Sequence, residues 1–380
     1  MALVLNEEQQ MLKESARGFL QETAPVAALR ALRDERDPTG YSRELWQRMA
    51  DMGWSGILVA ETHGGLQFGH VGMGQVMEEN GRTLTASPLL STAILGVSLI
   101  SLAASDEQKT ALLPAIVKGE LVTALAVESG SRHRPTHTGV RADNTGDGYR
   151  LSGEKQFVID GHVADKLIVS ARTSGAEGDE LGISLFLVDT EASGLEVERV
   201  IMADSINSAF VRFQDVAVGV QNCLGPVDQG LAVLQQVLDI GNVHLAAELL
   251  GIAQEVFERT VQYMKERRQY GALIGSYQGL QHRAAHLFSE IELAKSVVIK
   301  ALQALDENDN DKLPLLVSLA KAKVSEVATL ATNEAVQLHG GIGMTDELEI
   351  GFFMKRARVA EQLFGDQRFH QGRFAALQGY

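Results

Sequence analysis

A pair of adjacent glycines near the C-terminal end is the first feature of this sequence with chemical meaning. Gly340 and Gly341 interrupt the segment 333–370, which has helical periodicity on both sides of the pair. Because glycine has no Cβ, two in succession let the backbone approach a flat or anionic group closely. Glycine is also the usual residue just beyond a helix end, so taken alone the pair reads most simply as a helix terminus followed by a loop.

A basic segment upstream offers a partner for an anion. Residues 266–271 read ERRQYG, and residues 274–278 read IGSYQ. The planar guanidinium of Arg267 can engage phosphate oxygens in two directions. On charge alone Arg267 is better read as a solvated helix residue, but the Tyr-Gly step and Gln278 that follow favour a binding role.

Together, these two segments resemble the acyl-CoA dehydrogenase family. Segment 337–347, which reads QLHGGIGMTDE, is similar to the family's C-terminal signature, and segment 266–278 is similar to its flavin-phosphate segment. Two motifs in the family's order and separation are specific, whereas either alone is weak. The resemblance extends over nearly the whole chain.

The resemblance implies FAD as cofactor and an acyl-CoA thioester as substrate. In the family's reaction a carboxylate removes the α-proton while the β-hydrogen passes as hydride to flavin N5. That chemistry needs a dry carboxylate base and hydrogen bonds to the thioester oxygen. It also needs a protein bed that holds the flavin against the substrate.

The family's FAD lies across a subunit boundary, which divides its contacts into two halves. In the trans half, the helical bundle of one subunit reaches the flavin of its neighbour. All the matching residues are present in this chain. They are Arg267 for the pyrophosphate, Tyr270 and Gln278 on the adenosine side, and Gln337, His339, Gly340 and Gly341 around adenine and ribose. For His339 a second interpretation is a side chain that packs beside the glycine turn.

The cis half, which cradles the isoalloxazine ring and the substrate, departs from the family pattern. Val127 stands where the family has a threonine that bonds the flavin pyrimidine. Phe157, Val158 and Ile159 replace a Trp-x-Thr strand that shields the flavin, and residues 132–134 read RHR in place of Gly-Ser-Asp. Backbone groups at these positions can still bond flavin, but the side-chain donors are gone.

The general base is the sharpest departure. Alignment through the glycine pair puts Phe364 where most members carry the catalytic glutamate, and Gly241 occupies the family's second location. Neither side chain accepts a proton, although the backbone N–H of Phe364 can still contact a thioester oxygen. Asp366 is the nearest carboxylate, but in a helical backbone it would lie about 200° around from position 364. Glu248, about two helical turns after Gly241, is a weaker candidate that is more simply read as paired or solvated.

Three residues are predicted to contact the substrate. Asp239 is retained from the family pattern, Asn242 replaces an arginine that contacts CoA, and Phe364 offers its N–H. The histidines do not converge on a metal-ligand pattern, so the sequence predicts no metal site.

Composition restricts the class of protein. With 380 residues and 45% hydrophobic content, the chain can form several packed layers. A net charge of −15 argues against nucleic acid and anionic membranes as partners. The single cysteine, Cys223, cannot form an internal disulfide, and the start MALVLNEEQQ lacks a signal-peptide pattern. The apolar run 89–104 is too short to span a bilayer. We therefore expect a soluble, cytoplasmic protein.

Three successive segments are predicted to position these residues. Residues 1–120 are helical, 121–225 alternate short apolar runs with turns, and 226–380 return to long helices. The middle pattern is typical of a β-sandwich or β-barrel, and the last of a four-helix bundle. The fold class is therefore mainly α with a central β-domain, which is also the family's architecture. No G-x-G-x-x-G follows a strand, so a Rossmann site is not predicted.

The elements can be placed along the chain. Helices are predicted to start at Asn6 and to lie near 42–52, 70–82, 89–104, 106–118, 231–261, 278–305 and 312–338. Strands are predicted at 121–127, 149–151, 166–171, 183–189, 195–200 and 209–213.

The sequence predicts FAD-dependent α,β-dehydrogenation of an acyl-CoA ester, with the chain as one subunit of an α2β2 heterotetramer. A paralogous subunit would supply the base and the isoalloxazine bed, because this chain keeps one half of the site and loses the other. One alternative is a self-sufficient homotetramer that uses Asp366. Another is a non-catalytic scaffold that binds acyl-CoA or flavin. By resemblance, the electron acceptor is an electron-transfer flavoprotein.

Overall fold

The computed structural model describes residues 3–380, and most of its helices agree closely with those expected from apolar spacing. The α-helices of this part of the chain are α1 (Glu7–Thr23), α2 (Val26–Asp34), α3 (Arg43–Asp51), α4 (His70–Thr83), α5 (Val97–Ala103), α6 (Asp106–Val117), α7 (Gly230–Glu266), α8 (Gln278–Asp306), α9 (Leu313–His339), α10 (Ile350–Gln362) and α11 (Gln367–Leu377). The helix α2, Val26–Asp34, was not predicted. A π-helix, Leu89–Gly96, runs directly into α5, so the apolar run predicted as one helix is a buried pair of helical segments.

Local capping explains where α1 and α6 begin. The side chain of Asn6 accepts a hydrogen bond from the backbone N–H of Gln9 at 2.8 Å, and the Gln9 side chain accepts from the N–H of Asn6 at 3.0 Å. Ser105 and Gln108 make the same reciprocal pair ahead of α6. Each pair satisfies two backbone donors that the first helical turn leaves unpaired.

The β-strands lie almost entirely in the middle of the chain. They are β1 (Thr123–Ala126), β2 (Val140–Asn144), β3 (Gly148–Ile159), β4 (Lys166–Arg172), β5 (Ile183–Asp189), β6 (Leu195–Ile201), β7 (Asn207–Gly219), β8 (Cys223–Leu224), β9 (Arg268–Gln269) and β10 (Ala272–Leu273). The first eight form one sheet in the order β6-β7-β3-β2-β4-β5-β8, with β1 paired in parallel to β4. One face of these strands buries a shared apolar core, which matches the predicted central β-domain.

Some strands differ from the predicted ones. β3 and β7 extend well beyond 149–151 and 209–213. β2 and the two-residue strands β8, β9 and β10 were not predicted. β2 has only two buried residues among polar ones, so its apolar signal is weak. The register between β3 and β7 shifts twice, between Leu151 and Gly153 and between Lys155 and Val158. Each shift interrupts the two-residue alternation from which a strand is recognised.

The described residues form two compact units, each made of separate stretches of the chain. The bundle unit comprises residues up to 34, 70–85 and 242–380, and the sheet unit comprises 35–69 and 86–241. Along the chain the order is helical, sheet and helical, as predicted. The finer boundaries at 120/121 and 225/226 stay a prediction.

Close backbone packing stabilises the bundle unit. A Cβ at Gly81 of α4 would collide with the carbonyl of Glu248, and a Cβ at Gly251 of α7 would collide with the carbonyl of Glu78. These two glycines therefore let α4 and α7 touch backbone to backbone. The segment after the glycine pair forms two helices, α10 and α11, rather than one, and the turn between them carries Phe364.

Candidate functional site

The residues predicted to hold the adenosine and pyrophosphate end of FAD lie on the surface of the bundle unit. Arg267 follows α7 directly, and β9 and β10 form a short antiparallel hairpin after it. Tyr270 and Gly271 form the hairpin tip with φ of +51° and +80°, and Tyr270 is 95% exposed. The side chains of Arg267 and Gln278 are also exposed. This hairpin presents the basic segment outward.

Backbone hydrogen bonds hold the hairpin in place. The N–H of Arg267 donates to the carbonyl of Tyr263 at 2.8 Å, and the carbonyl of Arg267 accepts from the N–H of Ile274 at 2.9 Å. The hydroxyl of Tyr277 donates to the carbonyl of Gln269 at 3.2 Å across the loop. Backbone hydrogen bonds to Tyr263 and Ile274 therefore fix the point from which the Arg267 side chain extends.

The glycine pair lies in an open turn at the end of α9. Gly340 has a φ of +67°, which suits glycine, and a short 3₁₀ helix follows over Gly340–Met344. A Cβ at Gly340 or Gly341 would meet no atom within 4 Å, so the space above both residues is free. Gln337 is exposed nearby, whereas His339 is buried. The open turn and the exposed guanidinium fit the adenosine diphosphate part of FAD.

The residues predicted for the cis half lie in the sheet unit and are apolar, as their sequence indicates. Val127 comes directly after β1 and is 3% exposed, and Val158 of β3 is 1% exposed. Phe157, with a φ of +52°, lies at the β-bulge and packs edge-on against Phe210 at 5.5 Å. Ile159 ends the strand. None of these side chains can donate a hydrogen bond to flavin. At these positions, only backbone N–H and C=O groups could form hydrogen bonds with FAD.

A buried lysine, Lys155, bonds to several segments of the sheet unit. This residue was not identified from the sequence. The Lys155 ammonium donates to the carbonyl of Val127 at 2.7 Å, to Thr138 Oγ1 at 2.8 Å and to Ser170 Oγ at 3.0 Å. All three N–H groups are thus used, although burial lowers the pKa of this lysine to about 7. Lys155 fixes the carbonyl of Val127 beside the bulge that carries Phe157.

The turn that contains Phe364 is held by a buried polar network in the bundle unit. Lys321 is fully buried on α9, and its Nζ donates to the carbonyl of Leu363 at 2.7 Å and to Asn242 Oδ1 at 3.1 Å. Asn242 Nδ2 donates to the carbonyl of Phe364 at 3.2 Å, and His370 Nε2 donates to the same oxygen at 3.3 Å. These contacts support the left-handed backbone of Phe364, whose φ is +55°.

Two expectations concern residues in and beside this network. The amide of Asn242 already has two partners inside the bundle unit, so a substrate contact by Asn242 stays a prediction. The helical spacing used to orient Asp366 is wrong, because the backbone at 363–366 is not helical. Asp366 instead precedes α11, and its Oδ1 accepts from the N–H of Phe369 at 2.8 Å, as an N-cap residue does. A role for Asp366 as base stays a prediction.

The structure also shows the contacts or burial of Glu248, a candidate base, and Asp239, a candidate substrate contact. Glu248 is 2% exposed at its side chain and forms a two-pronged ion pair with Arg356, with distances of 2.6 and 2.8 Å. Its carboxylate is therefore engaged as a structural partner, in line with the simpler interpretation. Asp239, predicted to contact substrate, is 6% exposed on α7, two residues before Gly241.

Helical periodicity provides the signal that would have identified Lys321. It follows Val317 by four residues and precedes Val324 by three, so all three lie on one face of α9. Both valines are fully buried. A lysine at such a position is unusual enough to indicate a specific partner.

We expect Lys321 to make the stability of the protein depend on pH. Burial lowers its pKa to about 7 from an ordinary value of 10.5. Between those values the unfolded chain binds a proton that the folded chain does not, so the free energy of unfolding should rise with pH. Lys321 adds at most about 1.4 kcal/mol per pH unit to this slope. The stability gained from its deprotonation at high pH is lost as the pH falls to about 7. Denaturant titrations from pH 7 to 10 should show a shallower slope for Lys321→Met, and equal slopes would contradict the assignment.

Residues 3–380 contain neither a membrane-spanning helix nor a cluster of potential metal ligands. No helix in this range combines the length and the hydropathy that a membrane span requires. The same residues contain no group of three or more His, Cys, Asp and Glu side chains arranged to hold a metal ion.

Comparison with known proteins gives matches along most of the chain. The family models for the N-terminal, middle and C-terminal domains of acyl-CoA dehydrogenase match residues 6–120, 126–216 and 228–376. A probable acyl-CoA dehydrogenase of Bacillus subtilis, YngJ, is 31% identical, and the match covers 94% of each chain. The caffeyl-CoA reductase–Etf complex subunit CarC of Acetobacterium woodii is 28% identical, again over 94% of each chain.

A solved structure supports the same assignment. A variant of the Tcur3481–Tcur3483 steroid ACAD has 29% sequence identity to this chain and a TM-score of 0.87 over 98% of both chains. Together with the three domain matches, these similarities show that the chain belongs to the acyl-CoA dehydrogenase family.

Proposed function

We propose that this chain is the subunit of a heteromeric acyl-CoA dehydrogenase that supplies the trans half of an FAD site to a paralogous partner. The family's enzymes are FAD-dependent oxidoreductases that act on the CH–CH bond of acyl-CoA. The observation that carries the finer proposal is an asymmetry between two sets of residues. The set around Arg267 and the glycine pair is complete and, apart from the buried His339, exposed. The side chains at Val127, Phe157 and Phe364 themselves are apolar, so none of the three can donate a hydrogen bond to flavin or accept a proton.

The residues of this chain have defined tasks in the proposal. Arg267 binds the pyrophosphate with charge-assisted hydrogen bonds, and Gly340 and Gly341 admit the adenosine. The partner's carboxylate removes the α-proton, and bound FAD supplies the acceptor for the hydride that leaves Cβ. Phe364 and Gly241 cannot take part in that proton transfer, because neither side chain accepts a proton.

The comparisons support the assembly and the electron acceptor indirectly. The steroid ACAD is named as a pair, Tcur3481–Tcur3483, and this chain resembles it at 29% identity. CarC is named as a subunit of a complex with Etf. We therefore propose a paralogous subunit in an α2β2 arrangement and an electron-transfer flavoprotein as acceptor. Steroid or other lipid catabolism and a cytoplasmic location belong to the same proposal.

Assembly and flavin content test the proposal. Purified alone, the chain should bind FAD substoichiometrically and show negligible acyl-CoA dehydrogenation. Co-expressed with its paralogue, it should form an α2β2 tetramer with about one FAD for every two chains, as expected of paired heterodimers. Mass photometry combined with flavin absorbance measures both quantities. A homotetramer with one tightly bound FAD per chain, reduced rapidly by an acyl-CoA, would overturn the proposal.

The self-sufficient homotetramer has its own test in the same assay. If Asp366 were the base, Asp366→Asn should slow dehydrogenation by roughly 10²- to 10⁴-fold. We expect a change of only a few-fold, because asparagine also caps helices and so preserves the observed role of Asp366. A loss in the larger range would make Asp366 the base.

A further inference from the structure

One tyrosine of the bundle unit contacts both parts of the predicted FAD surface. Tyr263 lies in the last turns of α7, and its backbone carbonyl accepts the hydrogen bond from the N–H of Arg267 at 2.8 Å. Its hydroxyl donates to the carbonyl of His339 at 3.4 Å, directly ahead of Gly340. Tyr263 thus links the start of the basic hairpin to the glycine turn.

Ring stacking strengthens this link. The rings of Tyr263 and His339 are nearly parallel, 28° apart, with centroids separated by 4.4 Å. The imidazole is oriented by Nδ1, which donates to the carbonyl of Ala335 at 2.8 Å in the preceding turn of α9. Burial lowers the pKa of His339, which favours a neutral ring in the stack. The buried position of His339 agrees with packing beside the glycine turn, and its direct contact with FAD stays a prediction.

The turn after His339 folds back over the same helix end. A Cβ at Gly343 would lie 2.6 Å from the carbonyl of Val336 and 3.2 Å from Cβ of His339. His339 therefore contacts the glycine turn on one side and Tyr263 on the other. Movement of the stacked pair would shift the turn relative to Arg267.

We propose that Tyr263 is a positioning residue that fixes the separation between Arg267 and the Gly340–Gly341 turn. The inference rests on the proposed role of this surface in binding FAD. The pyrophosphate and adenine of FAD are joined covalently, so the two protein surfaces that hold them must stay at one separation. A stacked, hydrogen-bonded pair keeps that separation through the contacts of Tyr263 with Arg267 and His339.

The test compares two substitutions of Tyr263 in the assembled enzyme. Tyr263→Leu removes the ring stack, whereas Tyr263→Phe removes only the long hydrogen bond. We expect the leucine variant to raise the Kd for FAD by roughly 3- to 10-fold, since aromatic pairs contribute energies of that order. The phenylalanine variant should stay close to wild type. Flavin fluorescence on dilution measures FAD release.

Phe257→Leu is the matched control, because Phe257 also lies on α7 and packs against another ring, Phe288, with centroids 6.1 Å apart. It should leave the Kd for FAD unchanged. The inference is overturned if Tyr263→Leu retains FAD like wild type, or if Phe257→Leu weakens FAD binding equally. If Arg267→Ala also has no effect, the proposed function of the surface fails as well. A loss of FAD with Arg267→Ala alone removes only the role of Tyr263.

Discussion

Replacement of Arg356 by methionine is expected to destabilise the folded protein by about 3–5 kcal/mol, because it would leave the carboxylate of Glu248 buried without its partner. The side chains of Arg356 and Glu248 are only 7% and 2% exposed. Two hydrogen bonds, of 2.6 and 2.8 Å, join them between α10 and α7. The ion pair therefore holds the helix that leads into the Phe364 turn.

Denaturant unfolding of the wild type and the variant measures this effect. The double variant Arg356→Met, Glu248→Leu should recover much of the lost stability, because it removes both buried charges. Arg141 is the control: it pairs with Asp143 on the surface, where side-chain exposures are 73% and 59%. Arg141→Met should change the unfolding free energy little, since exposed pairs contribute little. An equally small effect of Arg356→Met would refute the structural role of the ion pair.

Replacement of Arg267 by alanine is expected to lower the FAD affinity of the assembled enzyme by roughly 10- to 150-fold. A hydrogen bond to a charged group contributes about 1.5–3 kcal/mol, and the pyrophosphate would lose at least one. The backbone of Arg267 is held by Tyr263 and Ile274, so the substitution should leave the hairpin intact. This prediction depends on the proposed trans contact.

The neighbouring arginine provides a matched control for the Arg267 experiment. Arg268 is also exposed, carries the same charge and lies in β9, one residue further along. Flavin absorbance after gel filtration at low protein concentration should show loss of FAD from Arg267→Ala and retention in Arg268→Ala. If both variants keep the wild-type ratio of flavin to protein, Arg267 does not bind the pyrophosphate. Equal losses from both would indicate a general effect of charge.

The sequence by itself determined the long helices, and it identified the residues of the trans set, whose role stays a prediction. α8 was expected at 278–305 and is observed at Gln278–Asp306, and α9 was expected at 312–338 and is observed at Leu313–His339. Helix caps, apolar periodicity and turn glycines act between residues a few positions apart, so they can be read from a short stretch. Arg267, Tyr270 and Gln278 were also recognised from a short stretch, although the hairpin of β9 and β10 was not predicted.

Strands were predicted less completely for a related reason. In β3 the buried Lys155 and two register shifts hide the alternation of apolar and polar residues. The partners of Lys155 come from other strands and loops, which are known only once the sheet has formed. From sequence alone, a strand position that carries a lysine is therefore interpreted as solvent-exposed. Only the folded sheet shows that the Lys155 side chain points inward.

Only the tertiary structure decided how the Phe364 turn is held. Lys321 meets Asn242 across 79 positions of the chain, and Asn242 meets Phe364 across 122. The sequence alone suggested a substrate contact for Asn242 and a helical orientation for Asp366. In the folded chain Asn242 bonds the turn and Asp366 caps α11. Burial and hydrogen-bond partners depend on which elements pack together in the fold. Local sequence patterns do not show which distant segments will pack together.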